Sequence, residues 1–304
     1  MNEKLSIIGS SEIIKKHIYA AKKNKFKINS IISLNKKNKK SLHILKKKFK
    51  IKKTFTNLNK FLIDAKKNKS SVLIAPRISD NQKIMKKVLA LNLKTMIEKP
   101  VFLNVEKFEE FSNLKKNIFI GYNRIYYKFT DLIKKIKNKK KIYFVNVRCP
   151  ENKKIDFLKN SCHSISIIYY IFGKLYFVKK ISNKKHFLIV FETKKKEIIY
   201  FNFELNSPRN FSIEFNFKNK ILLAEPIEKF FEINKIKKKI VEQENFYFPV
   251  KKLIYNENKL DGKPGFIDQY KNFKKFINNK KSKYLNLNDA KNIMTIAKKI
   301  YSDV

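Results

Sequence analysis

Short apolar runs alternate with helix-like segments over the first part of the chain. The runs predict strands at residues 5–8, 28–34, 71–75, 94–97 and 117–121. The segments between them carry apolar residues at helical spacing and predict helices at 11–21, 41–49, 59–65, 81–91 and 105–114. Strands that are apolar on both faces and separated by helices are typical of a parallel sheet covered by helices. We therefore predict a doubly wound α/β domain over residues 1–121.

After Gly121 the pattern changes from alternating strands and helices to a series of strands. A helix is predicted at 128–137, a strand at 142–148 and a helix centred on Ile165, followed by strands at 187–192, 198–205, 210–217 and 221–224. Along 210–217, aromatic and aliphatic residues alternate with polar ones, which places one face of the strand on a core. Helices at 266–278 and 288–301 follow. Residues 122–304 are therefore predicted to form an α+β domain with a mainly antiparallel open sheet and helices.

The formal net charge of +46 by itself favours a nucleic acid or an anionic membrane as partner. The 71 basic residues are almost all lysines, and the four arginines are Arg77, Arg124, Arg148 and Arg209. The lysines are spread from Lys4 to Lys299, whereas sites that bind phosphates or bases use arginine heavily. We interpret the charge as a coding bias acting on tolerant surface positions, which disfavours a nucleic-acid partner.

The cysteines and histidines predict neither a disulfide framework nor a metal site. Cys149 and Cys162 lack metal-ligand or redox spacing, so a reducing compartment is expected, and the four histidines are too scattered for a zinc site. No apolar run approaches the roughly 18 residues of a membrane span. We expect a cytoplasmic, soluble protein that has no membrane partner.

Glu98-Lys99-Pro100 singles out one lysine among many. It follows the apolar run Thr95-Met96-Ile97, so Lys99 stands at the carboxyl end of a predicted buried strand, with a proline fixing the backbone after it. Enzymes with a parallel α/β sheet place their chemistry at this end of the strands. Lys99 is therefore a candidate catalytic residue.

The first predicted strand ends at Gly9, where a dinucleotide-binding turn would stand. Such a turn uses three glycines, but Ser11 and Ile14 occupy the second and third positions. The acid expected after the second strand, which would bind the ribose, is also missing, since that stretch begins at Ser33 and continues through Asn35. The turn alone leaves an ordinary strand-to-helix connection open as an alternative.

Taken together, the segments resemble the Gfo/Idh/MocA oxidoreductases, which act mostly on sugars and related polyols with NAD or NADP. The resemblance runs over nearly the whole chain, and it implies a Rossmann-type first domain. The matching positions, in chain order, are Gly9, Ser11, Ile14 and His17 of the fingerprint, Ala75-Pro76-Arg77 with Asp80, Glu98-Lys99-Pro100, Gly121-Tyr122-Asn123-Arg124, Cys162 through Gly173, and Pro264-Gly265-Phe266 with Gln269 and Tyr270.

The resemblance implies a set of site residues. The catalytic residues would be Lys99 and His163, and no metal would be bound. The cofactor-binding residues would be Gly9, Ser10, Ser11, Glu12, Ile13, Asn35, Ala75, Pro76, Arg77, Glu98, Lys99 and Asn123. The substrate-binding residues would be Lys99, Tyr122, Arg124, Lys159 and His163. The implied reaction is hydride transfer between nicotinamide and a carbon of a sugar or sugar derivative, in a pathway such as surface polysaccharide biosynthesis.

Two departures from the family pattern leave alternatives open. Lys159 stands where the family usually has an aspartate four residues before the histidine, and Ser166 stands where another aspartate often follows. One alternative is a degenerate, non-catalytic member that acts as a binding or partner subunit. A second is a basic nucleic-acid-binding protein, supported by charge alone. We also expect that the aromatic face around Phe211 and Phe215 pairs the second domain with another copy.

Overall fold

The computed structural model describes residues 3–34 and 39–301, and it divides into two compact units. The first unit holds the chain up to Asn123 together with Gly265–Met294, and the second holds Arg124–Pro264 and the residues from Thr295 onward. Residues 122–304 are predicted from the sequence as one domain, whereas Gly265–Met294 return to the first unit. They do so because one helix of this segment covers the first unit with an aromatic face.

The first unit is built on a six-stranded parallel sheet of the predicted doubly wound type, with strand order β3-β2-β1-β4-β5-β6. Its strands are β1 Lys4–Ile8, β2 Lys27–Ile32, β3 Lys53–Phe55, β4 Ser71–Ile74, β5 Thr95–Glu98 and β6 Ile118–Gly121. Its helices are α1 Glu12–Lys23, α2 Lys39–Phe49, α3 Leu58–Lys67, α4 Asn81–Leu89 and α7 Phe266–Ile277, and α8 Leu287–Lys298 begins here.

The central strands are apolar throughout because both of their faces are covered. Ile7, Leu73 and Ile97 on β1, β4 and β5 are completely buried. Helix α1 buries a stripe at helical spacing that consists of Ile14, His17, Ile18 and Ala21. Helix α7 packs against α1, and its Phe273 stacks on Phe26 with ring centroids 6.1 Å apart. This aromatic packing holds the returning segment in the first unit.

The second unit is built on an eight-stranded sheet, mainly antiparallel as predicted, with strand order β14-β13-β12-β11-β7-β10-β9-β8 and one parallel pair, β7 with β10. Its strands are β7 Phe144–Glu151, β8 Leu175–Ser182, β9 His186–Thr193, β10 Ile198–Leu205, β11 Ser212–Asn216, β12 Ile221–Ala224, β13 Lys229–Val241 and β14 Glu244–Asn256. Helices α5 Lys128–Lys137 and α6 Cys162–Phe172 belong to this unit, and Phe157, Phe201 and Phe203 are completely buried in its core.

Four strands were absent from the sequence analysis. Strand β3 has only three residues, and β8, β13 and β14 are largely exposed on both faces, so they lack the alternation of a half-buried strand. Beyond Ile236, β13 pairs only with β14, and the two form a ribbon that continues past the end of β12. Strand pairing, rather than hydrophobic pattern, defines these elements.

The segment predicted as a helix at 105–114 is instead a run of 3₁₀ turns at Glu106–Asn117. Side chains three residues apart lie above one another in 3₁₀ geometry. Phe108 and Phe111 have this spacing, both are buried, and both rings contact Phe102, at centroid distances of 5.1 and 5.5 Å. Docking of this pair on one aromatic ring accounts for the tighter turns.

Within residues 3–34 and 39–301, the structure has no helix that is both long enough and apolar enough to cross a membrane.

Candidate functional site

The turn after β1 tolerates only glycine at Gly9. Its φ is +136°, and a Cβ atom there would lie 2.4 Å from the carbonyl oxygen of Ala75 and 3.3 Å from Cδ1 of Ile14. The amide of Gly9 donates to the carbonyl of Ile32, and the amide of Ala75 donates to the carbonyl of Ile8, both at 2.9 Å. The first turn is therefore closely joined to the carboxyl ends of β2 and β4.

Helix α1 begins directly after this turn, with Ser11 as its extended N-cap residue. The Ser11 side chain makes no capping hydrogen bond. The first amides of a helix have no intrahelical acceptor, and the positive end of the helix dipole favours an anion beside them. Behind the turn, the hydroxyls of Ser10 and Ser33 lie 2.9 Å apart and are buried. This local geometry suits a phosphate group.

A cleft of about 950 Å³ opens at these strand ends within the first unit. Six of the sequence-predicted cofactor residues line it: Gly9, Ser10, Ser11, Ala75, Pro76 and Arg77. The volume is in the range of small-molecule and cofactor sites, roughly 300–1,000 Å³. The structure thus brings together two predicted segments that are more than sixty residues apart in sequence.

The cleft also contains charged residues of α4 that the sequence analysis did not select. Lys83 and Lys87 line it together with Asp80, which precedes the helix, so with Arg77 the lining has three cations and one acid. The amine of Lys87 donates to Asn59 Oδ1 at 3.0 Å. The i, i+4 spacing of the two lysines places them on one helix face, but in so lysine-rich a chain that spacing is not a signal.

Five predicted cofactor residues within the described parts of the chain are not in the cleft lining: Glu12, Ile13, Glu98, Lys99 and Asn123. Glu12 is exposed and pairs with Lys15 at 2.7 Å, and Ile13 is half-buried on α1. Asn35 lies outside the described residues. These assignments remain predictions.

Glu98 and Lys99 have different environments at the end of β5. Lys99 is half-buried, and the peptide bond between Lys99 and Pro100 is cis. The Glu98 carboxylate lies inside the unit, with Oε1 2.9 Å from Nε2 of the fully buried His17. Although these atoms are close, their alignment is outside hydrogen-bonding geometry. In this structure the Glu98 carboxylate contacts protein groups, and its cofactor role remains a prediction.

The two residues that follow β6 are buried. Tyr122 is completely buried and Asn123 nearly so. A substrate contact through the Tyr122 ring would require the ring to become exposed. Both assignments remain predictions.

In the second unit, Lys159 lies within a helix irregularity and His163 follows it. Residues Phe157–Ser161 form a π-helical turn that leads into α6, which carries His163 near its start. Both side chains are half-buried. Because this turn is π-helical, Lys159 and His163, four residues apart, are not related by regular α-helical spacing. Ser166 donates to the carbonyl of His163 at 2.7 Å and is fully buried, so its hydroxyl is engaged by the helix itself.

Arg124 at the start of the second unit is held by its own neighbours. Its guanidinium lies 3.4 Å from Glu228 Oε1, and it stands 5.8 Å from the ring centroid of Phe211. Tyr127 donates to the same Glu228 oxygen at 3.4 Å, and burial above all raises the pKa of Tyr127 well above its ordinary value. Arg124 therefore has a carboxylate partner already, and its substrate role stays a prediction.

No group of three or more His, Cys, Asp or Glu side chains with metal-binding geometry occurs in the described parts of the chain.

Comparison with known proteins agrees with this architecture. Residues 4–117 match the model of the Gfo/Idh/MocA oxidoreductase family, described by its NAD-binding Rossmann fold. No curated protein sequence matches the chain. A dehydrogenase from Clostridium difficile is similar over 100% of both chains, with 17% identity and a TM-score of 0.77.

Two further solved structures share the fold at low identity. The UDP-N-acetylglucosamine 3-dehydrogenase of Acidithiobacillus ferrooxidans is 9% identical with a TM-score of 0.75, over 98% of this chain and 96% of that one. An oxidoreductase of Agrobacterium radiobacter, solved with NAD⁺, L-tartaric acid and magnesium, is 10% identical with a TM-score of 0.71, over 98% and 95%. Both likenesses concern the fold.

Proposed function

We propose that this chain, whose residues 4–117 belong to the Gfo/Idh/MocA oxidoreductase family, is an NAD(P)-dependent dehydrogenase that acts on a sugar or sugar derivative. The observation that supports this most strongly is the cleft at the carboxyl ends of the first-unit strands. It lies within the family-matched segment, and its walls are the Gly9 turn and the Ala75-Pro76-Arg77 segment. In doubly wound sheets, ligands bind at this edge.

The residues of the cleft fit a dinucleotide. Gly9 has no side chain, so a pyrophosphate can approach its backbone closely, and the uncapped first turn of α1 offers amide groups to it. Arg77 on the rim supplies positive charge near the phosphates. When bound, the nicotinamide dinucleotide supplies the hydride chemistry. The protein has to bind and orient the reactants and handle the proton.

We assign the proton handling to Lys99 and His163, each in its own unit. Lys99 stands at the carboxyl end of β5, where an ammonium group can polarise the substrate oxygen. An imidazole titrates near neutrality and suits a proton acceptor, which is the proposed role of His163. A sugar substrate in a surface polysaccharide pathway is the finer part of the proposal. It is supported by the resemblance and by a fold shared with a sugar-nucleotide dehydrogenase.

Cofactor titration is the first test. NADH and NADPH are added to the purified protein at about 0.15 M salt, where nonspecific charge effects are screened, and protein fluorescence and calorimetric heat are recorded. We expect saturable binding of at least one of the two. Absence of saturable binding of both would remove the dehydrogenase proposal.

Lys99→Ala is the second test, with Lys66→Ala as a matched control. Lys66 is an exposed lysine in the last turn of α3, so it reports the effect of removing one positive charge from the same unit. We expect Lys99→Ala to lose about 100-fold or more in turnover while its unfolding temperature stays near that of the control. Equal turnover in the two variants would show that Lys99 is an ordinary surface lysine.

Lys159 favours the alternative of a binding subunit, because the group that would orient the histidine in active members is replaced by a cation. The variant Lys159→Asp distinguishes an active dehydrogenase from a binding or partner subunit. If the chain binds NADH but turns over sugars slowly, and Lys159→Asp raises kcat, the fold retains catalytic competence. Binding without turnover in both forms would support a binding or partner subunit.

A further inference from the structure

Behind the strand end that carries Lys99, three polar side chains from three elements form a row: His17 and Tyr270 are completely buried, and the Glu98 side chain is 16% exposed. His17 on α1 is completely buried, and each of its ring nitrogens meets one polar atom. Nδ1 lies 3.1 Å from the hydroxyl of Tyr270 on α7, and Nε2 lies 2.9 Å from Oε1 of Glu98, the last residue of β5. The proposed hydride transfer assigns no role to His17 or Tyr270.

The environment of His17, Tyr270 and Glu98 determines which of their atoms carry protons. Burial raises the pKa of Tyr270 well above its ordinary value, and the charge of Glu98 acts in the same direction, so the hydroxyl keeps its proton. The hydroxyl can then donate to Nδ1 of His17. A lone pair on Nε2 facing a carboxylate oxygen at 2.9 Å would be repelled, so Nε2 carries the ring proton. The polarity therefore runs from Tyr270 through His17 to Glu98, and its last step is a close electrostatic contact whose alignment is outside hydrogen-bonding geometry.

The space around the Glu98 carboxylate is closed on its other side by β6. Glu98 pairs with Gly121 in the parallel register, and a Cβ atom on Gly121 would lie 3.1 Å from Glu98 Oε1 and 3.2 Å from the carbonyl oxygen of Ile97. The amide of Gln269, next to Tyr270 on α7, would lie 3.5 Å from that Cβ and donates to Met96 Sδ at 3.2 Å. The carboxylate thus occupies a slot bounded by β5, β6, α1 and α7.

A buried carboxylate and imidazole are costly to desolvate, and an apolar cluster would pack the same space at lower cost. The position of the polar cluster gives a reason for keeping it despite this cost, since Glu98 is covalently joined to Lys99. Fixing the Glu98 side chain fixes the backbone from which Lys99 departs at the end of β5. A small displacement of a reacting group is enough to lower turnover by about 100-fold.

We infer that His17 and Tyr270 are positioning residues that clamp Glu98 and thereby hold Lys99 for the reaction. This inference rests on the proposed function. Tyr270 lies on α7, the helix with which the chain returns to the first unit. The clamp therefore also connects α7 to the strand end that carries Lys99.

Histidine replacements test the polarity of the clamp. The amide nitrogen of Gln can take the place of Nε2 and present an N–H group to the Glu98 carboxylate, whereas the shorter Asn reaches only the place of Nδ1. We therefore expect His17→Gln to keep kcat within about threefold, and His17→Asn to lose about tenfold in kcat with the KM for NADH nearly unchanged. Equal kcat in the two variants, at temperatures where both are folded, would overturn the clamp.

Tyr270→Phe tests the other end, with Tyr284→Phe as control. Tyr284 also stacks among aromatic rings of the first unit, 5.5 Å from Phe119 and 5.0 Å from Phe276, so the control removes a hydroxyl from similar packing. Tyr270→Phe should lower kcat by about fivefold without raising the KM for NADH, and Tyr284→Phe should not. Equal kcat values for the two would contradict the inference.

A measurement without cofactor separates this inference from the proposed function. Nitrogen-15 NMR of histidine-labelled protein, with His17 assigned by its loss in His17→Gln, should show the ring proton of His17 on Nε2, and a mixture of tautomers in Tyr270→Phe. Protonation at Nδ1, or a doubly protonated ring, would overturn the clamp. If NADH and NADPH both fail to bind while the NMR result holds, the proposed function fails and the polarity of the row formed by Tyr270, His17 and Glu98 stands.

Discussion

Gly121→Ala is a direct way to disturb the slot that holds Glu98, because the backbone at Gly121 does not itself require glycine. Its φ lies outside the left-handed region, so alanine is conformationally permitted, but the new methyl would stand 3.1 Å from the Glu98 carboxylate and 3.2 Å from the Ile97 carbonyl. Ordinary contacts begin a few tenths of an ångström further out. The carboxylate has to move toward His17 or the strands have to separate.

The expected magnitude combines two opposing effects. Overpacking of a closed site costs about 1–3 kcal/mol. Replacing glycine at a compatible backbone position stabilises by about 0.4–1 kcal/mol, because the unfolded chain loses freedom. We therefore expect the free energy of unfolding to fall by about 0–2.5 kcal/mol, together with a loss of about tenfold in kcat because Glu98 and Lys99 are displaced together.

Gly173→Ala provides the contrasting control. Gly173 follows α6 in the second unit with φ +79°, and no atom lies within 4 Å of a Cβ built there. The substitution therefore strains the backbone without crowding a neighbour and should cost about 1–2 kcal/mol. Denaturant unfolding, NADH titration and turnover are measured on both variants. The reasoning is refuted if Gly121→Ala has wild-type turnover, or if Gly173→Ala loses as much kcat at equal stability.

Three other predictions follow from local geometry. Gly9→Ala should lower the free energy of unfolding by about 2–5 kcal/mol and abolish NADH binding, because its Cβ would meet Ala75 at 2.4 Å; a titration with wild-type affinity would contradict this. Lys25→Gly should raise that free energy by about 0.5–1 kcal/mol, since φ is +61° after α1, and a lower denaturant midpoint would argue against it. Burial raises the pKa of the Cys149 thiol to about 12, so iodoacetamide at about pH 8 should label it only on unfolding; labelling of the native protein would refute this.

The Lys25 prediction illustrates a general consequence of the composition. The chain has only 5 glycines, so several residues that follow helices are lysine or asparagine at positive φ. Lys25, Lys69 and Asn92 are examples, with φ between 50° and 61°. Glycine is the usual residue at such positions because it lacks a Cβ. The compositional bias that accounts for the many surface lysines therefore also affects the residues that follow helices.

The hydrophobic pattern locates a strand best where the strand is buried on both faces. β1, β4 and β6 were located within a residue or so because a covered parallel strand has to be apolar throughout. It fails for β13, whose Lys-rich outer half is a strand only because β14 pairs with it. When both faces of a strand are exposed to solvent, its hydrophobic pattern does not indicate that it pairs with a neighbouring strand.

The candidate site divides in the same way. The sequence by itself determined that Gly9, the Ala75-Pro76-Arg77 segment and Lys99 follow the carboxyl ends of parallel strands, because the alternation of buried strands with helices implies a parallel sheet. The tertiary structure decided that Glu98 faces His17 and that Tyr270 reaches His17 from 253 residues away. Those contacts depend on how α1 and α7 pack across the sheet. Such packing is set by side-chain shape in three dimensions, so no spacing along the chain encodes it.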